Sequence, residues 1–242
     1  MGTPRARLRL ALIQIRSQEI PLRQEQNCFI ERCGAERHQF QFFNLTREPE
    51  IRWRELEHAH AVFIGGAGAY SVTREHPFSA PLGAIVERLI GEDRPLFGSC
   101  WGHQFLAQMH GGTVVEDKLR SEVGTFPITL TEAGVVDPLF GDFSERFPVQ
   151  LGHNDRVSSL GPDWVELARS ELVPNQAIRL RGKPVYATQF HPEMNEERLR
   201  ERLFFYLDDY VADEDEHRRI LRRLRPSLEA DRLIRTFLDL YA

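Results

Sequence analysis

The sequence predicts an α/β protein with a doubly wound mixed sheet, helices on both faces of that sheet, and a helical C-terminal extension. In the first half, short apolar runs alternate with helix-like segments, which is typical of parallel strands joined by helices. In the middle, apolar runs follow one another with few helices between them, which predicts antiparallel or mixed strands added to the same sheet. Roughly the last 45 residues have helical spacing.

The first half supplies strands and helices in alternation. Gly34 is a helix-ending residue, and Ser79 is a candidate N-cap for the helix that it begins. The predicted strands are Leu8–Ile15, His38–Leu45, Ala61–Gly66 and Arg94–Ser99, and the predicted helices are Pro21–Cys33, Arg52–Ala59, Ser79–Gly91 and Trp101–His110.

In the second half of the chain, the predicted strands follow one another with few helices between them. No stretch is long or polar enough to be a linker between two large domains. We therefore expect one domain over residues 1–198, with residues 199–242 as a helical extension packed on it. The predicted strands are Val114–Glu116, Thr125–Leu130, Val149–Leu151, Val165–Ala168, Ala177–Leu180 and Val185–Phe190.

Composition excludes several classes of function. The chain has 242 residues and a net charge of −5, so no overall basic field attracts nucleic acid. No apolar run reaches the length of a membrane span, so we expect no membrane partner. The N-terminal apolar run is interrupted by Arg9 and Gln14 and lacks a cleavage site, which favours a first strand over a signal peptide.

The three cysteines indicate a reducing compartment. Their number is odd and their spacing forms no framework, so we expect reduced thiols in the cytoplasm. Cys28 and Cys33 fall in a predicted helix and are interpreted as buried small hydrophobes. Neither they nor the scattered histidines have the spacing of a metal site, so we predict no metal.

Cys100 occupies the sharpest bend that the sequence predicts, in "FGSCWGHQF". Gly98 and Gly102 flank it, between an apolar strand and a helix. A Gly-x-nucleophile-x-Gly turn displays its central side chain at the carboxyl end of the strand. The N–H groups of the following helix favour a thiolate there, and thiolate is the reactive form. The alternative is a buried cysteine in a turn.

His191 and Glu193 are the candidate base and orienting carboxylate for this thiol. They stand in "QFHPE", after the apolar run Val185–Phe190, and Pro192 keeps His191 extended. Residues two apart in an extended chain face the same side, so the carboxylate can fix the imidazole. Alone, the segment is typical of a surface loop, but together with Cys100 it favours catalysis.

Glycines also follow the third predicted strand, in "FIGGAGAYSV". They let backbone N–H groups approach a ligand closely, and such groups stabilise the oxyanion of acyl transfer. The N–H of Trp101, next to Cys100, would be a second donor. The glycine spacing does not match a phosphate-binding loop, and a plain tight turn remains the alternative for each glycine.

Together, "FIGGAG", "GSCWGHQ", "QFHPE" and the segment "LGHNDRV" resemble the class I glutamine amidotransferase family, in the branch like GMP synthase. The resemblance implies a flavodoxin-like fold and a Cys-His-Glu triad of Cys100, His191 and Glu193. It further implies an oxyanion hole from Gly66 and Trp101. Neither a metal nor an organic cofactor is implied. The implied contacts to substrate glutamine are Gln104, His153, Asn154 and Asp155.

Two departures from the family pattern leave the oxyanion donor and the substrate open, in that order. The family often has proline after the two glycines, where this chain has Ala67, and glycine where this chain has Asn154. The chain after Glu193 is too short for a nucleotide-binding domain. We therefore expect a glutaminase that supplies ammonia to a separate synthase. The alternatives are a free-standing hydrolase of γ-glutamyl compounds and a non-catalytic binding subunit on the same fold.

Overall fold

The computed structural model describes residues 4–206 and 214–242. Within these residues, one mixed nine-stranded sheet has the order β2-β1-β3-β4-β11-β10-β9-β6-β7. The five strands from β2 to β11 pair in parallel, and the remaining pairs are antiparallel. Its strands are β1 Leu10–Gln14, β2 Phe40–Asn44, β3 Ala61–Ile64, β4 Leu96–Ser99, β6 Glu122–Leu130, β7 Arg146–His153, β9 Trp164–Arg169, β10 Ala177–Leu180 and β11 Val185–Thr188.

One predicted strand lies outside this sheet. We expected the run at 114–116 to extend the main sheet, but β5 (Thr113–Glu116) pairs antiparallel with β8 (Asp155–Ser159) in a separate two-stranded sheet. The prediction failed because β8 contains one buried apolar residue, Val157, and has no apolar alternation that marks it as a partner.

Helices cover both faces of the sheet, as predicted. In β3, Val62 and Ile64 face one apolar cluster, whereas Ala61 and Phe63 face the other, since successive strand residues point to opposite sides. The helices α3 (Ser79–Gly91) and α4 (Trp101–Met109) contribute to the first cluster, and α1 (Glu19–Cys33) and α8 (Leu233–Tyr241) to the second. The helices are α1 Glu19–Cys33, α2 Trp53–Leu56, α3 Ser79–Gly91, α4 Trp101–Met109, α5 Glu132–Val135, α6 Glu196–Phe205, α7 Glu214–Arg223 and α8 Leu233–Tyr241.

The ends of two helices test the predicted caps. Gly34 follows α1 with φ +59°, so it supplies the left-handed residue that ends the helix. Ser79 is not the N-cap of α3 but its first helical residue, and Phe78 precedes it. The Ser79 hydroxyl instead accepts a hydrogen bond from the His76 N–H at 3.1 Å, in the loop that leads into the helix.

The C-terminal helices share cores with the sheet. Phe237 of α8 packs against Phe63 and Phe97, with ring centroids 6.3 Å and 5.4 Å apart. The boundary predicted at residue 198 falls inside α6, and the division into a domain and an extension stays a prediction. Residues 207–213, which belong to the predicted helical extension, lie outside the described residues.

Candidate active site

Cys100 lies on a strained turn between β4 and α4. Its φ is +53° and its ψ −100°, a region that residues other than glycine rarely adopt. Its N–H donates to the Thr188 carbonyl at 2.8 Å, which ties the turn to the end of β11. A Cβ on Gly102 would lie 2.4 Å from the Ile64 carbonyl oxygen, so only glycine fits there. The geometry is that of the predicted elbow.

His191 and Glu193 follow β11 and meet at the same edge of the sheet. The Nδ1 atom of His191 lies 2.6 Å from Oε1 of Glu193, and both side chains are buried. The Ser99 hydroxyl donates to Oε2 of Glu193 at 2.8 Å and fixes the second carboxylate oxygen. This places the two residues side by side, in the arrangement that the i, i+2 spacing predicts.

The charges of this pair are mutually stabilised. Burial alone would lower the pKa of His191, but the Glu193 charge and the Cys100 side chain outweigh it and raise that pKa to about 9. Burial likewise tends to raise the pKa of Glu193, and the neighbouring imidazolium lowers it overall. The site therefore favours a charged imidazole against a charged carboxylate, beside the thiol.

Two further groups contact the Cys100 sulfur. The Gln189 side-chain amide lies 3.7 Å from Sγ, and the Gly152 carbonyl oxygen lies 3.9 Å from it. The sulfur is thus flanked by β7 and by the residue after β11, and Cys100 remains partly accessible. Cys28 and Cys33 differ, because both are fully buried, as predicted.

A cleft of about 210 Å³ opens beside Cys100 and contains all four predicted substrate contacts. The side-chain amide of Gln104 donates to the Asp155 carbonyl at 2.9 Å and to Oε1 of Gln189 at 3.0 Å. The first bond ties the start of β8, where Asp155 lies, to α4, and the second ties α4 to the residue after β11. The residues that line the cleft include Cys100, Trp101, Gln104, His153, Asn154 and Asp155, with Ser71, Arg74, Glu116 and Lys118 around them.

His153 is held on both ring nitrogens. Its Nδ1 lies 3.0 Å from the Asp155 carbonyl oxygen and its Nε2 lies 3.3 Å from Oε2 of Glu122, a buried carboxylate that the sequence did not suggest. The Asp155 carboxylate accepts from the Ser71 hydroxyl, and burial raises its pKa despite that bond. The turn at residues 153–155, between β7 and β8, is therefore bonded to α4, to β6 and to the segment that bears Ser71 before any ligand binds.

The two predicted oxyanion donors, Gly66 and Trp101, differ in their hydrogen bonding. The Trp101 N–H is the first amide of α4 and has no intrahelical acceptor. The Gly66 N–H, however, donates to Oε1 of Glu25 at 3.1 Å, so in this arrangement it is not free for an oxyanion. Glu25 also pairs with Arg16 at 2.8 Å, and both side chains are buried. The next residue, Ala67, lines the space beside Cys100.

Sequence reasoning missed five residues that shape this site. Ser99 and Gln189 stand inside the quoted segments "GSCWGHQ" and "QFHPE", and a polar residue at the end of an apolar run was the available signal. Glu25, Arg16 and Glu122 lie far from the motifs in the chain, and no local pattern marks them. Within residues 4–206 and 214–242, no group of three or more His, Cys, Asp and Glu side chains could hold a metal ion. None of the described helices is long and apolar enough to cross a bilayer.

The fold and this site define a class of protein. The sequence model of the class I glutamine amidotransferase family matches residues 26–207, which is more than half of the chain. The chain therefore belongs to the class I glutamine amidotransferase family. This finding confirms the resemblance carried by the three motifs.

Two relatives and one solved structure show which proteins of this kind the chain is similar to. The chain is 32% identical over 155 residues to one subunit of a glutamine-hydrolysing GMP synthase from Thermoplasma volcanium, covering 64% of this chain and 73% of that one. It is 31% identical to a glutamine-hydrolysing GMP synthase from Thermosipho melanesiensis, covering 55% of this chain and only 24% of that longer one. A solved glutamine amidotransferase from Thermotoga maritima shares the fold, with a TM-score of 0.77 at 23% identity and 97% of each chain covered.

Proposed function

We propose that this protein hydrolyses the γ-amide of glutamine through a Cys100 thioester and supplies the ammonia to a separate synthase. The observation that carries the proposal is the buried His191–Glu193 pair at the elbow that displays Cys100. The Thermoplasma volcanium relative is one subunit of a GMP synthase, and this likeness supports a partner chain for the present protein. The three free cysteines support the predicted cytoplasmic setting.

In the proposed reaction, the Cys100 thiolate attacks the carbonyl carbon of the γ-carboxamide, and the carbonyl oxygen becomes an oxyanion. His191 gives its proton to the nitrogen, the C–N bond breaks, and ammonia leaves a γ-glutamyl thioester. His191 then takes a proton from water, whose oxygen attacks the thioester, and glutamate leaves as the thiolate reforms. Glu193 stays charged throughout and orients the imidazole.

The cleft provides suitable groups for the glutamyl portion. The carboxylate of Asp155 and that of Glu116 can pair with an α-amino group, whereas Arg74 and Lys118 can pair with an α-carboxylate. We propose Gln104, His153 and Asn154 as the residues that form and position this surface. For the oxyanion we propose Trp101 and Ala67 as N–H donors, because Glu25 occupies the N–H of Gly66.

The test is ammonia release from glutamine by the full chain, compared with Cys100→Ala. We expect release by the wild type and none by the variant. A γ-glutamyl-mimicking electrophile should add once, to Cys100, as determined by intact mass and peptide mapping. Burial raises the pKa of Cys28 to about 12 and also raises that of Cys33, so neither should react.

A broader panel of γ-glutamyl compounds, with and without a candidate synthase, separates the remaining hypotheses. Turnover of conjugates but not of glutamine would favour a free-standing γ-glutamyl hydrolase, which uses the same three residues. If neither the wild type nor Cys100→Ala turned over any compound of the panel, the hypothesis of an enzyme would be refuted and a non-catalytic binding protein would be favoured.

A further inference from the structure

A second, smaller cavity also borders Cys100 and adjoins the cleft. It measures about 20 Å³, and its wall includes His191, Arg16 and Arg202. The cleft contains Gln104 and Asp155 but not His191, whereas the small cavity contains His191 but not those two residues. Cys100 and Gly152 belong to both.

The position of His191 determines which part of the substrate each cavity receives. In amide cleavage the acid must reach the nitrogen that leaves, so the leaving group lies on the side of the imidazole. The glutamyl portion then occupies the cleft, and the leaving group enters the small cavity. By the same measure a water needs about 10–15 Å³, so the cavity has room for a group little larger than a water molecule, such as the charged end of a small leaving group.

The charge in this cavity is unbalanced. Arg16 and Arg202 are 2% and 5% exposed. Of these two arginines, only Arg16 has a carboxylate partner among the described residues, and that partner is Glu25. Arg202 is held instead by the neutral side chain of Gln24. The Nε atom of Arg16 and the Nη2 atom of Arg202 are buried without a hydrogen-bond acceptor within the described part of the chain.

Such an arrangement is costly unless an anion completes it. A buried guanidinium with too little counter-charge loses hydration without full compensation, and among the described residues Glu25 is the carboxylate that acts on both Arg16 and Arg202. Burial and the neighbouring Arg16 charge lower the pKa of Arg202, in keeping with this strain. Met194, Leu199 and Leu203 form the apolar part of the wall, and low polarity strengthens any ion pair formed inside it.

We propose that Arg16 and Arg202 form an anion subsite that binds a carboxylate on the leaving group, so that Cys100 also cleaves γ-glutamyl amides of small amino acids, beside glutamine. This inference rests on the proposed function, because it assumes that Cys100 cleaves a γ-glutamyl amide. The amine of the departing amino acid takes its proton from His191, and its carboxylate stays paired with the two guanidinium groups. Free glutamine lacks this carboxylate and leaves the subsite unfilled.

The test compares two substrates that differ in one charge, γ-glutamylglycine and γ-glutamylglycinamide. We expect the wild type to show a kcat/KM at least about tenfold higher for the carboxylate, the ratio that one good ion pair supplies. In Arg202→Gln the ratio should fall towards one. Arg200→Gln, on the exposed side of the same helix, is the matched control and should keep the wild-type ratio.

Thermal unfolding separates binding from a structural role. Arg202 has no carboxylate partner among the described residues, so its replacement should leave the melting temperature unchanged or higher. A lower melting temperature with an equal loss on both substrates would overturn the proposal. So would a wild-type ratio near one, a result that leaves the proposed function standing. Inactivity on both compounds and on glutamine would instead remove the proposed function.

An independent measurement needs no variant. Glycine should slow the alkylation of Cys100 in the wild type by iodoacetamide, because its carboxylate fills the subsite beside the sulfur. Glycinamide at the same concentration should not. Equal protection by both compounds, or by neither, would contradict the subsite.

Discussion

Replacing Glu193 by glutamine tests whether its charge holds His191 in the charged form. The substitution keeps the shape of a side chain that is fully buried and 2.6 Å from the imidazole, and it removes the negative charge. Burial continues to disfavour the imidazolium, so the pKa of His191 should fall from about 9 to its ordinary value near 6.5 or below.

The size of the effect follows from that shift. At 1.36 kcal/mol per pKa unit, a fall of the His191 pKa from about 9 to 6.5 corresponds to roughly 3 kcal/mol of lost stabilisation of the imidazolium. A charged imidazole favours the neighbouring thiolate. The rate of Cys100 alkylation near neutral pH should therefore fall by up to about two orders of magnitude in Glu193→Gln.

The assay is the second-order rate of iodoacetamide alkylation from about pH 5 to 10, with the site confirmed by peptide mapping. Ser99→Ala is the matched control, because it removes one hydrogen bond to Glu193 and keeps the charge. The rate of Cys100 alkylation in this variant should fall by no more than about tenfold, which corresponds to the loss of one hydrogen bond. A Glu193→Gln profile that overlays the wild-type profile would refute the reasoning.

Stability should respond to pH through the same pair. The pKa of His191 is raised above 6.5, so its contribution is complete below that pH and is lost as pH rises through about 9. The pKa of Glu193 is lowered from 4.5, so its contribution is present above that pH and is lost on further acidification. The difference in melting temperature between wild type and Glu193→Gln should be largest between about pH 5 and 7.

The sequence predicted those parts of the site that depend on local constraints. A glycine on each side of Cys100 and a two-residue spacing across Pro192 restrict the backbone directly, so the elbow and the His191–Glu193 pair followed from a few residues. The two-faced α/β sheet followed from apolar runs in the same way.

Long-range contacts were not predictable, because no local pattern encodes them. Glu25 reaches the Gly66 N–H across 41 positions and changes which amide is free at the site. Helix α1 buries Gln24, Glu25 and Gln26 in succession, against the usual polar exposure, so periodicity could not reveal it. Arg16, which precedes α1, and Arg202 of α6 line one cavity although they are far apart in the chain, and α6 packs on α1.

Three further substitutions test the oxyanion donor, the elbow and the C-terminal helix. Ala67→Pro removes an N–H that we propose as a donor, so kcat should fall about 10²–10³-fold; an unchanged kcat would return the role to the preceding glycine. Gly102→Ala puts a methyl group 2.4 Å from a β3 carbonyl oxygen and should destabilise by about 1–3 kcal/mol, whereas Gly91→Ala, with open space around it, should be nearly neutral in thermal unfolding. Phe237→Ala removes a fully buried ring of α8 that packs on the central sheet, and its cost of about 3–5 kcal/mol should lower the melting temperature by roughly 6–20 °C. The half-exposed Leu240 of the same helix is the control, and equal melting temperatures for the two alanine variants would show that the extension does not share the core of the domain.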